Sequence, residues 1–362
     1  MIGNNDALGS NPKRRKQLLW QVPFLLFLVV GTVFVARMQC DIPYQTDYGF
    51  VFGTVYNISY QSNENLKAEI EKVLNKVDGE FSMFNEASTV SRINRGAEPE
   101  LSTMFQEVYE KAVTVNNNTE GAFDITVAPL VNTWGFGFKG KKTGAGADST
   151  SNLPTAAQVD SLLRIVGMGK LTYDKEKKRI YKRDRRTMLD FSAIAKGYGA
   201  DCVARLLKRH DVKNFMVEIG GEVVTQGISP KRLPWRIGVT KPTEDSLQTS
   251  QELQTVLNVT DRAMATSGNY RNFYYQGGRR YAHTIDPKSG YPVQHNILSA
   301  TVLASDCATA DAYATSFMVM GLDRVKALLE QHPELMAYII YDGDDGQFAV
   351  WYSPSLKDKI NE

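Results

Sequence analysis

Two oxygen-bearing side chains open the chemistry. In "TADAYATSF" (Thr309 to Phe317), Asp311 and Thr315 stand four apart inside a helical pattern, so they share one face. A carboxylate and a hydroxyl on one face suit a hard cation such as Mg2+, which takes oxygen ligands and keeps waters or substrate phosphates. The plain alternative is a polar stripe on an Ala-rich helix, with Thr315 bonded back to the Asp311 carbonyl. A second group lies in "LDFSAIAKGYGAD" (Leu189 to Asp201), which runs from a strand end into a helix. Asp190 or Ser192 can cap that helix. Its first N–H groups, with Lys196 and Gly197 beside them, would accept a phosphate. An ordinary N-cap with a surface lysine explains the same residues, and the Gly and Lys spacing is not that of a Walker loop. Third, His283 in "AHTIDPKSG" precedes a tight turn. Histidine is a common general base because it titrates near neutral pH, yet a polar residue closing a strand reads the same way.

Weaker signals surround these. Gly220-Gly221 in "EIGGEVVTQG" suits a hairpin turn or close backbone approach to a ligand. Phe123 and Trp134 in "GAFDITVAPLVNTWGFG" can stack on a flat ring or fill the core. His295 has no third His or Cys nearby to complete a metal site with His283. His210 and His332 fall at helix C-termini, where a cation is favourable.

These residues need elements to hold them. "FVFGTVYNISY" (Phe50 to Tyr60) alternates as a strand. Leu66, Ile70, Val73, Leu74, Val77 and Phe81 recur at helical spacing. A second helix follows Ser102, and Thr155 with Gln158 forms a capping box. "GKKTGAGADSTSN" (140–152) reads as a mobile loop. Strands are expected at 171–173, 180–182, 214–219, 222–226, 235–240 and 255–259. A hairpin follows with Gly277-Gly278 at its tip, then the strand "ILSATVLA". Helices over 306–320 and 323–331 precede a last hairpin turning at "YDGDDGQ". Strands and helices do not alternate regularly, which predicts an α+β fold.

The N-terminus is distinct. Leu18 to Ala36 carries no charge and is long enough to span a bilayer. Lys13, Arg14, Arg15 and Lys16 precede it and only Arg37 follows closely. That bias keeps residues 1–17 cytoplasmic and exports the rest. The expectation is an anchor or uncleaved signal over 18–36, a linker over 37–47 and a globular domain over 48–355. A cleaved signal peptide and lipidation of Cys40 are the alternatives, and "RMQC" is a poor lipidation site. A net charge of +2 gives no footprint for nucleic acid. Cys40, Cys202 and Cys307 are too few and too far apart for a disulfide framework or a metal cluster, and the last two read as buried thiols.

From Tyr48 to Trp351 the chain resembles the ApbE family, the FAD:protein FMN transferases. The matching segments, in order, are "FGTVYNISY", "FSMFNEASTVSRIN", "GAFDITVAPLVNTWGFG", "LDFSAIAKGYGAD", "VEIGGEV", "ATSGNYRNF", "HTIDPKSGYPV" and "SDCATADAYATSFMVMG". The resemblance implies an ApbE-like, T-fold-type mixture of sheet and helix. It implies an Mg2+-dependent enzyme that moves FMN from FAD to a Ser or Thr hydroxyl of an exported or membrane redox protein, releasing AMP. It implies metal ligation by Asp311, Thr315 and the Ala193 carbonyl. Flavin-nucleotide contacts fall to Phe84, Ala122, Phe123, Asp124, Asp190, Lys196 and Ile285, and His283 is needed for transfer. Phe52 stands where the family usually has Met before "GT", and an apolar contact to the nucleotide could survive that change, which makes Phe52 a further candidate contact. An FAD pyrophosphatase and a flavin-binding protein without turnover are the competing readings.

Overall fold

The first strand-forming run folds back on itself. A computed structural model of the chain describes residues 12–40, 42–137, 153–242, 252–270, 272–343 and 347–361. In it, helix α1 (Pro12–Cys40) is followed by β1 (Tyr44–Val51), paired antiparallel with β2 (Thr54–Gln61). Phe52 and Gly53 make the turn with φ of 52° and 75°. Two successive positive angles fit the type I′ hairpin, whose twist matches its strands. The single strand expected over Phe50–Tyr60 is therefore a hairpin. Its first arm starts inside the stretch read as linker, where the Tyr44 hydroxyl donates to the Ile228 carbonyl at 2.6 Å.

Four helices follow: α2 (Lys67–Phe81), α3 (Thr89–Asn94), α4 (Thr103–Asn118) and α5 (Ala128–Thr133). The expected loop over 140–152 lies outside the described residues. Helix α6 (Ala156–Leu163) begins with the expected capping box, Thr155 and Gln158 bonding reciprocally. Then come β3 (Leu171–Asp174), β4 (Arg179–Lys182), α7 (Ala195–Arg209), β5 (Phe215–Ile219), β6 (Glu222–Gln226), β7 (Arg236–Thr240) and β8 (Leu253–Asn258). Strand β9 (Ala263–Gly268) was not foreseen. Its sequence "AMATSG" has no clear alternation, and its place in the sheet comes from its neighbours. The chain closes with β10 (Phe273–Gln276), β11 (Arg279–Ala282), β12 (Ile297–Ala304), α8 (Cys307–Met320), α9 (Leu322–Gln331), β13 (Met336–Asp342), β14 (Phe348–Tyr352) and β15 (Ile360–Asn361). Strand β15 pairs with β8, beyond residue 355.

Eight strands form one open antiparallel sheet in the order β1-β2-β5-β6-β9-β12-β13-β14. Every residue of β12 is buried, as a central strand covered on both faces must be. Helices α7 and α8 pack on the sheet and on each other. Gly197 permits that approach: a Cβ there would strike the Cys307 carbonyl and lie 2.9 Å from the Ala308 nitrogen. Beneath α7, Phe81, Phe105, Phe191 and Tyr198 form an aromatic cluster with centroids 5.1–5.9 Å apart. Cys202 and Cys307 are both buried free thiols, as expected.

Candidate active site

The start of α7 is built without a side-chain cap of its own. Ile194 occupies the N-cap position and makes no capping bond. The expected caps are engaged elsewhere: Asp190 Oδ1 accepts from the Ser192 N–H at 2.8 Å and from its hydroxyl at 2.5 Å. This local turn competes with capping, as short polar side chains do. Asp311 of α8 supplies what is missing. Its Oδ2 accepts from the Gly197 N–H at 3.1 Å. The next N–H, of Tyr198, closes on Ile194 at 3.0 Å. Gly197 thus turns to Asp311, and the Ala193 carbonyl that would accept it in a continued helix is left for another partner.

Charge gathers at the same point. Lys196 Nζ pairs with Glu222 Oε1, on the first residue of β6. Glu222 is only 3% exposed, and its Oε2 is buried with no partner. Burial works against the Lys196 ammonium, but the Asp311 and Glu222 carboxylates outweigh it and hold its pKa above the usual lysine value. Burial also raises Asp311, against the pull of Lys196 and the Gly197 N–H. For Glu222 burial again pushes upward and Lys196 opposes it. Direct contact with an ammonium that two carboxylates keep protonated favours the ionic form of the pair. Glu222 and its unpartnered oxygen went unnoticed in the sequence, where "IGGEV" drew attention only to its glycines.

Further along α8, the Thr315 hydroxyl meets Ser267 Oγ of β9 at 3.1 Å. The bond back to the helix carbonyl expected as the plain alternative is made instead by the next residue, Ser316, to Ala312 at 2.7 Å. Two residues past Ser267, Asn269 Oδ1 accepts the Thr284 hydroxyl at 2.5 Å. Thr284 adjoins His283, so β9 links the α8 face to the histidine. The His283 backbone N–H and Nδ1 both lie on the Asn272 carbonyl, at 3.0 and 3.1 Å. A carbonyl only accepts, so Nδ1 carries the proton and neutral imidazole keeps its lone pair on Nε2. Burial pushes the His283 pKa down, offset in part by that carbonyl. Beside it, Trp134, Tyr281, Tyr274 and Phe136 stack in series with centroids 5.2–5.7 Å apart. Phe136 meets the imidazole edge-on.

The remaining predicted residues divide into two sets. The Asp190 N–H donates to the Ile125 carbonyl at 2.7 Å, so the Ala122–Asp124 run lies against the approach to α7. Asp124 accepts from Thr126 N–H and Oγ1 and from Met168 N–H, while burial raises its pKa. A cavity of about 420 Å3 opens beside it, lined by Asn116, Gly121, Gly167, Pro287 and Lys288 among others. Ala122, Phe123 and Ile285 are buried, and the Phe123 N–H and carbonyl are engaged by Thr119 Oγ1 and Asn116 Nδ2. The Phe123 and Trp134 rings belong to the core. Phe84 is 80% exposed, and Phe52 packs over Gly199 of α7.

The expected donor set, the Asp311 carboxylate, the Thr315 hydroxyl and the carbonyl of Ala193 just before α7, is all oxygen and fits a hard cation. Among the described residues no group of three His, Cys, Asp or Glu side chains forms a metal cluster.

Comparison with known proteins bears on what this arrangement serves. The model of the ApbE family matches residues 52–340. The chain is 37% identical over 318 residues to an FAD:protein FMN transferase of Vibrio cholerae, covering 85% of this chain and 90% of that one. A protein of the same name from Haemophilus influenzae is 36% identical over 327 residues, covering 87% and 90%. Among solved structures, the flavin transferase ApbE from Vibrio cholerae superposes with a TM-score of 0.76 at 35% identity, over 88% of this chain and 99% of that one. The ApbE protein of Thermotoga maritima gives 0.75 at 26% identity, over 88% and 100%. With a family match that takes in α7, α8 and the sheet strands between the two edges, and with such relatives aligned over most of their length, the chain belongs to the ApbE family.

Proposed function

We propose that this chain is an FAD:protein FMN transferase, Mg2+-dependent, acting on a Ser or Thr hydroxyl of a membrane or exported redox protein and releasing AMP. One contact supports the reading: the Gly197 N–H on Asp311 Oδ2, which ties the first turn of α7, next to Lys196, to the α8 carboxylate. Asp311, Thr315 and the Ala193 carbonyl would hold the metal. When bound, Mg2+ supplies neutralisation of pyrophosphate charge. Lys196 adds a directed positive charge for the phosphates. Phe84, Ala122, Phe123, Asp124, Asp190 and Ile285 bind the nucleotide, with Phe52 as an apolar neighbour. His283 takes the acceptor hydroxyl's proton on Nε2. The hydroxyl oxygen bonds to the FMN phosphorus as the bond from that phosphorus to the bridging oxygen breaks. AMP leaves with the bridging oxygen.

Helix α1 fits a membrane anchor by length and composition, with a mean hydropathy of 1.7 over Trp20–Arg37, a test that signal sequences also pass. The basic residues before it favour a catalytic domain on the extracytoplasmic side of the inner membrane. The function is tested by mixing the protein with FAD, Mg2+ and an acceptor carrying a flavinylation-type Ser/Thr site. Flavin fluorescence on the acceptor in a denaturing gel and an equal amount of AMP are expected. AMP without labelled acceptor makes the chain a pyrophosphatase, and bound FAD with neither product makes it a binder.

A further inference from the structure

We propose that Ser267 is a positioning residue of this site: it takes the Thr315 hydroxyl proton and so turns a Thr315 lone pair toward the cation. This rests on the transferase reading and its oxygen donor set. A threonine hydroxyl has one proton, and its oxygen can face a cation only if that proton points away to an acceptor. Ser267 Oγ, 3.1 Å from Thr315 Oγ1, is placed to be that acceptor, since either hydroxyl of the pair can donate. The other acceptor in reach of a helical threonine is the carbonyl one turn back, here Asp311. Bonding there would lay the hydroxyl along its own helix, as Ser316 does on Ala312. Ser267 is well anchored for the task. It pairs with Ala300 of the buried strand β12, and its neighbour Thr266 bonds across to Thr301 at 2.8 Å. Partners that orient metal ligands from behind typically change metal affinity by about 10- to 100-fold when removed.

The test uses the full chain in detergent with FAD and without acceptor protein. Mn2+ serves as the hard-cation probe, and its free concentration is read from its electron paramagnetic resonance signal. Ser267→Ala should bind Mn2+ about 10- to 100-fold more weakly. Its metal-free affinity for FAD, read by flavin fluorescence, should stay within about twofold, and Ser267→Thr, which restores a hydroxyl, should recover most of the loss. In a Thr315→Val background, Ser267→Ala should cost less than about twofold, because the group it orients is gone. Wild-type Mn2+ affinity in Ser267→Ala overturns the assignment. So does an equal fall in metal-free FAD affinity, which would make Ser267 a packing residue. If the wild-type chain with FAD binds no Mn2+, the metal-dependent reading itself falls and the assignment with it.

Discussion

Replacing Gly197 by alanine sets two principles against each other. Alanine in a helix is worth about 1 kcal/mol over glycine, so propensity predicts a stabilised α7. The contact between α7 and α8 predicts the reverse. The new Cβ would meet the Cys307 carbonyl and the Ala308 nitrogen, at 2.9 Å from the latter. These are backbone atoms at the first turn of α8, which cannot rotate aside as a side chain would. Overpacking of this kind costs about 1–3 kcal/mol. Parting the helices also stretches the 3.1 Å bond from Gly197 N–H to the buried Asp311 carboxylate, and a hydrogen bond to a charged group is worth about 1.5–3 kcal/mol. The net expectation is a loss of about 2–5 kcal/mol despite the propensity gain. Thermal unfolding should fall by roughly 4–15 °C, taking about 2–3 °C per kcal/mol for a domain of this size. Differential scanning fluorimetry of both proteins, free of flavin and metal, gives the comparison. A melting temperature equal to or above wild type would show that α8 does not press on Gly197 as described, and the shared geometry of Lys196, Ala193 and Asp311 would lose its basis.

Three further outcomes follow from the site. Asp311→Asn keeps shape and removes charge; FMN transfer at saturating FAD should drop more than about 100-fold and stop responding to added Mg2+, while the melting temperature changes little. His283 is neutral above a pKa pushed below the ordinary histidine value of about 6.5. Transfer should therefore be level through neutral pH and fall only as acid protonates Nε2, and His283→Ala should lose transfer at all pH values while binding FAD. Asp201, which accepts from the Cys307 and Ala308 N–H groups at 2.8 and 2.9 Å, is pushed up to about 7 by burial and by Asp306. Its folded pKa lies above its unfolded one, so that share of stability is full below about pH 4 and is lost as pH rises through about 7. Asp201→Asn should flatten the fall in urea midpoint between pH 5 and pH 8.

The parts legible in the sequence were local. The Thr155–Gln158 capping box, the hairpin at Gly277-Gly278, the unbroken apolar run of β12 and the helical pattern around Asp311 each depend on residues a few positions apart. The turn at Phe52 was missed because a bulky aromatic is a poor residue for positive φ. What holds Phe52 there is tertiary: its ring fills the space left by the absent side chain of Gly199. Strand β9 was missed for a related reason, since Ala263–Gly268 is short of β-branched residues and takes its place between β6 and β12. The residues that support the α7–α8 part of the site are long-range. Gly197 reaches Asp311 across 114 residues, Asp201 reaches Cys307 across 106, Ser267 reaches Thr315 across 48 and Lys196 reaches Glu222 across 26. No periodicity records such pairs. Ordered family motifs brought the reacting groups together in the sequence; the groups that hold them had to be read from the fold.

Those long-range contacts share a property that bears on how the site forms. Helix α7 grips the first turn of α8 twice, through Asp201 on the Cys307 and Ala308 N–H groups and through the bare face of Gly197 against the same residues. Asp311, one turn further along α8, then grips α7 in return through the Gly197 N–H. Asp306 caps α8 through the Thr309 N–H, Asp201 adds acceptors for the Cys307 and Ala308 N–H groups, and Asp311 supplies the start of α7 with the acceptor its own N-cap lacks. Lys196, on the turn between, is held on the sheet side by Glu222. The oxygen donors of the proposed metal site and the cation for the phosphates are therefore set by the act of packing α7 on α8. Substitutions that loosen this contact should damage stability and ligand geometry together, whereas Ser267 and His283, which approach from β9 and from the end of β11, can be changed with the helix pair intact.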